Sequence, residues 1–183
     1  MAPTAKQGQE VRLRLLAAAA ELIPERGWSA VSTRILADRA GVTPSVVHYH
    51  FSSVQDVLTA AAIAAMRQVL AATDELFMAA TTPAAGIEAM LASVEQYDGT
   101  DPMSLLFTET YLAATRDERL RTQIAAILTD FRTRVADWLT IHQVPEPAGT
   151  AAVLAAAIDG LLLHRTLGPE PPALKAVLQR LVS

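Results

Sequence analysis

The side chains able to do chemistry gather in one stretch, Ser32 to Phe51, which reads STRILADRAGVTPSVVHYHF. Arg34 can make a bidentate contact to guanine. Hydroxyls, and the phenol of Tyr49, can set a register on a sugar–phosphate backbone. Pro44 or Val46 can meet a thymine methyl. His48 and His50 invite a metal reading, but a spacing of two points them to different sides of a helix, where a ligand pair needs i, i+4. No metal site and no cofactor are expected. Catalytic constellations are missing too. There is no cysteine, no Gly-rich phosphate loop after a strand, and Asp159 with His164 makes no dyad along a helix. An enzyme is not expected.

These groups need two short helices and a tight turn to hold them. Ser32 can cap the first helix, and Ile35, Leu36 and Ala40 recur at helical spacing on one apolar face. Gly41 follows where the chain must leave the helix with positive φ. Thr43 can cap the second helix, with Pro44 at its first position, where a missing N–H costs nothing. Val46 and Val47 face inward. The arrangement is a helix-turn-helix, whose second helix enters a DNA major groove while the first lies across the phosphates.

The order of parts resembles the TetR family of bacterial regulators. The matching residues are Gly27, Trp28, Ser32, Leu36, Ala37, Ala40, Gly41, Val42, Thr43, Tyr49, His50 and Phe51, and the match covers roughly the first sixty residues. Carried over position by position, the resemblance implies DNA contacts at Thr43, Pro44, Ser45, His48, Tyr49 and His50, with Thr33 and Arg34 meeting phosphate or a base edge. Two positions depart from the family pattern. His48 stands where Tyr is usual, and Val54 where Lys is usual, which removes one phosphate contact.

Composition and charge agree with an all-α protein that binds DNA at one end. Apolar residues make up 51% of the 183, with no long alternating run. Residues 1–55 hold six basic and four acidic side chains, and the remainder nine against fifteen, so a mildly basic head sits on an acidic body. The absence of cysteine suits a cytoplasmic location. The start has no apolar core of the kind a signal peptide needs. The longest uncharged apolar stretch, 148–158, is read as too short for a membrane span, so no membrane partner is expected.

Residues 1–8 read as a disordered arm. Glu10 to Arg26 form a helix with an apolar stripe and a kink point at Pro24, and Trp28 and Val31 read as packing for a three-helix head. Arg12 and Arg14 lie off that stripe, within reach of phosphate. Ser53 caps a long connecting helix to about residue 80, and further helices fall at about 84–97, 103–115, 117–142, 148–167 and 171–182. The division is therefore 1–53, a DNA-binding domain, and 54–183, a helical ligand-binding and dimerisation domain, with about nine helices in all.

Large apolar groups in the body could line a cavity: Met66, Leu70, Met90, Phe107, Tyr111 and Trp138, with His164 among the polar handles. The bland alternative is that they fill the core. The resemblance implies that a small-molecule effector binds there, and the lining suggests a largely apolar or aromatic one. Near the C-terminus, Ala155, Ile158, Gly160, Leu161 and Leu162 lie on a nearly all-round apolar helix. With Leu178 they resemble the family's four-helix dimer interface, against the alternative of an ordinary buried helix. The expected protein is a homodimer on a palindromic operator in double-stranded DNA, most simply a repressor. Its rival is a helical small-molecule-binding or protein-interaction module without sequence-specific DNA binding.

Overall fold

The computed structural model describes residues 5–168 and 173–182, and every regular element among them is helical. In order these are α1 (Ala5–Arg26), α2 (Thr33–Ala40), α3 (Pro44–His50), α4 (Val54–Met78) and α5 (Pro83–Glu95). Then follow α6 (Pro102–Ala114), α7 (Glu118–Ile141), α8 (Pro147–Arg165) and α9 (Leu174–Arg180). A single 3-10 turn, Trp28–Ala30, lies between α1 and α2. The chain condenses into two compact units. One holds residues up to Met66 together with Leu105–Arg121, and the other holds Arg67–Ser104 with Thr122 onward.

Short polar residues start the helices. The hydroxyl of Ser32 accepts from the Ile35 N–H at 3.3 Å, that of Ser53 from Asp56 at 3.1 Å, and that of Thr82 from Ala85 at 3.2 Å. The Asp101 carboxylate accepts from the N–H groups of Met103 and Ser104, both at 3.0 Å, and Asp117 from Leu120 at 3.0 Å. Each satisfies donors that the first helical turn leaves unpaired. Thr43 behaves differently from expectation. It occupies the position before α3, but its hydroxyl pairs with that of Ser45 at 2.9 Å and makes no cap bond.

Helix α1 begins at Ala5, so the helix takes in residues expected in a disordered arm; residues 1–4 of that arm lie outside the described residues. Ala, Lys, Gln and Glu in its first turns are good helix formers and extend it beyond the apolar stripe. It continues through Pro24 to Arg26. Helices α8 and α9 are shorter than expected, ending at Arg165 and spanning Leu174–Arg180, and residues 171–172 lie outside the described residues.

In the first unit, Leu15, Ala18, Ala19, Leu22 and Ile23 of α1 are buried with Leu36, Ala37 and Ala40 of α2 and Val47 of α3. Trp28 is buried as expected, and held at two polar points. Its backbone N–H donates to the Glu109 carboxylate of α6 at 2.8 Å, and its indole Nε1 donates to the Gln55 side-chain carbonyl at 2.7 Å. Arg119 pairs with Asp56 at 3.0 Å in the same unit.

The second unit has its own core of Phe77, Ile87, Met90, Phe131, Val135, Trp138, Leu139, Val144, Ala151, Leu154, Leu178 and Val182. Phe77 meets Trp138 edge-on, with ring centroids 4.4 Å apart, and the His142 ring lies 4.0 Å from Trp138. Arg165 donates to the backbone carbonyls of Val94 and Tyr97, the latter at 2.6 Å, tying the end of α8 to the turn after α5. By length and apolarity α4 and α8 could each cross a membrane, which corrects the reading of 148–158 as too short. In a folded bundle the same apolarity covers a core, and Ala151 and Leu154 of α8 are buried in this one.

Candidate nucleic-acid interface

The turn between α2 and α3 has the geometry its residues demand. Gly41 sits in the left-handed region at φ 65°, ψ 39°, and the following Val42 N–H returns to the Ala37 carbonyl at 3.0 Å. That closure satisfies carbonyls at the end of α2, and glycine reaches it without a Cβ clash. Pro44 opens α3 in its first turn. Val47 is fully buried and Phe51 is 8% exposed, so α3 is pinned by its inner face and its C-terminal cap. What remains outside is polar and aromatic. Thr43, Pro44, Ser45 and His48 are exposed, and Tyr49 is 75% exposed. His50 and Thr33 are half-buried, and Arg34 is exposed at the start of α2.

The arginines of the head are not equivalent. Arg39 is spent on α1, with Glu21 at 3.2 Å and Glu25 at 2.5 Å. The hydrogen bond to Arg39 holds the Glu25 carboxyl below its ordinary range, and the bond to Glu25 raises Arg39 in turn. Arg26 also pairs with Glu25, at 3.3 Å. Arg14 and Arg34 have no such acid partner among the described residues, so their charge is available to phosphate or a base. An open, mostly apolar groove of about 870 Å³ runs between α1 and α3, bordered by Val11, Leu13, Arg14, Ser45, Val46 and Tyr49. Helix α1 therefore flanks the outward face of α3.

The other expected site residues fall in both units. Met66, Phe107 and Tyr111 belong to the first, and Leu70, Met90, Trp138 and His164 to the second. Met66, Met90 and Trp138 are buried, Leu70, Phe107 and Tyr111 half-buried, and His164 exposed. Of the residues expected at a dimer contact, Ala155, Ile158, Gly160 and Leu162 are half-buried, while Leu161 and Leu178 are buried within the chain. Sequence reasoning missed Gln55 and Glu109 as the partners of Trp28. A carboxylate 81 residues away carries no local signal for such a bond.

A capped α2, a left-handed glycine turn and an α3 with an exposed polar row define a helix-turn-helix DNA-binding protein. Residues 15–61 match the family model of bacterial regulatory proteins of the tetR family, and residues 81–183 match the tetracyclin repressor-like C-terminal domain. The chain belongs to the TetR family of transcriptional regulators. It is 25% identical over 178 residues to an uncharacterised HTH-type transcriptional regulator of Mycobacterium tuberculosis, covering 93% of this chain and 91% of that one. It is 26% identical over 167 residues to the HTH-type transcriptional regulator BetI of Rhizobium meliloti, covering 90% and 82%. Among solved structures, a candidate transcriptional regulator from Streptomyces coelicolor A3(2) superimposes with a TM-score of 0.79 at 30% identity, covering 95% of this chain and 99% of that one. These relatives are regulators and not enzymes, and nothing among them favours a head that no longer reads DNA.

Proposed function

We propose that the protein is a homodimeric, cytoplasmic transcriptional repressor that reads a palindromic operator and is released by a small, largely apolar or aromatic effector. The observation that carries the DNA reading is the exposed row of Thr43, at the start of α3, and Pro44, Ser45, His48 and Tyr49 on it, set against a fully buried Val47. His50, Thr33 and Arg34 complete the contact set. The domain from residue 1 to 53 contacts DNA, and 54–183 carries the effector and dimer functions. Two-fold symmetry would place the half-sites about one helical turn apart, or a multiple of it.

The dimer reading draws support from α8. Val153, Ala156 and Leu163 are exposed, and with Gly160 they follow a three–four spacing along one stripe, with the exposed Leu167 in the turn just beyond the helix. A Cβ built on Gly160 would meet nothing within 4 Å, so another backbone can approach there. Val177 of α9 and Leu181, at its C-terminal cap, are further exposed apolar residues. Effector release works through differential affinity: a ligand that fits only one position of α4 biases the heads away from the operator spacing. Met66, Leu70, Met90, Phe107, Tyr111, Trp138 and His164 are the residues to test for that ligand.

The test is a selection of genomic fragments by the purified dimer, followed by binding of the selected DNA and random DNA across a salt series. Site-specific binding that weakens linearly in log salt supports the reading. Equal affinity for both DNAs would sink it, and an effector that leaves operator affinity unchanged would sink the release mechanism alone.

A further inference from the structure

We propose that Arg12 is a positioning residue of the DNA-reading head, and that with Gly8 it forms the seat on α1 which fixes the C-terminal turn of α3. This rests on the reading of α3 as the recognition helix. That helix has only seven residues, too few to be stable alone, and its last carbonyls have no partners within it. Arg12 serves that end twice. Its Nη1 donates to the His50 carbonyl at 3.4 Å, and its guanidinium carbon lies 4.2 Å from the centroid of the Phe51 ring. A cation at a helix C-terminus is favourable, and so is one over an aromatic face.

Gly8 lies one turn before Arg12, on the same face of α1. A Cβ built on it would stand 3.7 Å from Cε1 of His50, so the His50 ring lies close against the α1 backbone. His50 in turn meets Tyr49 edge-on, with ring centroids 5.1 Å apart. The chain of contacts runs from Gly8 and Arg12 through His50 to Tyr49, the most exposed aromatic of the candidate DNA face. By spacing alone, Arg12 could reach phosphate. In the structure its guanidinium lies at the end of the recognition helix, and on this proposal its effect on DNA passes through the placement of Tyr49 and His48.

The experiment uses the full chain with DNA fragments selected by the wild type, in Arg12→Ala and Arg12→Lys variants. Two quantities are read: affinity for selected and random DNA across a salt series, and hydrogen exchange at the α3 amides in the free protein. Arg12→Ala should weaken the selected fragment about fivefold to tenfold, from loss of the ring contact and the carbonyl bond, while random DNA changes little. The log–log salt slope stays the same, the Phe51 amide bonded to Val47 exchanges faster, and Arg12→Lys recovers part of the affinity. If both DNAs weaken together and the slope falls by about 0.9, Arg12 is a phosphate contact and the proposal is overturned. Unchanged selectivity with unchanged exchange overturns it equally. A wild type that selects no fragment removes the recognition-helix reading itself, a different result from any of these.

Discussion

At the scale of single residues, exposure separates the side chains that can read DNA from those that hold the reader. Arg34 is exposed and free of acid partners among the described residues, whereas Arg39, equally basic in sequence, is tied to Glu21 and Glu25. Arg34→Ala should therefore cost about 1–3 kcal/mol of binding to the selected operator, and Arg39→Ala should change DNA affinity much less. Competition binding against random DNA measures both, and the order reversed would remove Arg34 from the contact set. Glu109 is the counterpart on the structural side. Its carboxylate is the acceptor for the Trp28 N–H, so Glu109→Ala leaves a part-buried donor unpaired. We expect about 1–3 kcal/mol lost in urea unfolding, with Glu109→Gln, which keeps an acceptor oxygen, costing less.

At the scale of elements, turns and caps decide where each helix stops, and some of those decisions depend on neighbours far along the chain. Gly41 is a local case: left-handed φ at the end of α2, legible from Ala40-Gly41-Val42. Gly99 is a tertiary one. It has φ 85°, and a Cβ there would lie 2.8 Å from Thr166 Cγ2 and 2.9 Å from the Leu162 carbonyl oxygen. Gly99→Ala therefore meets both backbone strain and a backbone atom that cannot step aside. It should destabilise the second unit by about 2 kcal/mol or more, seen as a lower Tm, and a neutral effect would contradict this packing. The residue types of Asp98-Gly99-Thr100-Asp101 mark a helix break and a cap locally. That the segment packs on the end of α8 was not readable, because the partners lie beyond residue 160.

At the scale of the whole molecule, the question is which apolar surface serves the chain and which serves a second copy. The mean hydropathy of the sequence, +0.27, cannot divide the two. Leu178 looks like an interface residue by type and position, and it is 4% exposed inside the core of its own unit. Leu163 is 55% exposed on the stripe with Val153 and Gly160. Leu163→Glu would place a carboxylate of each protomer in the proposed interface. The dimer dissociation constant should rise at least about tenfold, or about 1.4 kcal/mol, in sedimentation equilibrium, with the helical content of the monomer intact. A dimer of undiminished strength would move the interface off this stripe.

The sequence by itself determined the helix-turn-helix, the order of the helices and most of their starts, because these depend on signals a few residues apart: a cap hydroxyl, a glycine at positive φ, an apolar period of 3.6. It also carried the resemblance on which the family reading rests. Tertiary structure alone decided which of the like-looking residues are spent. Arg12 is held by a helix end 38 residues away, Glu109 by a backbone N–H 81 residues away, and Leu178 by a core drawn from five helices. A charge or an apolar side chain has no partner until the chain is folded, so its role is set by what folding brings beside it.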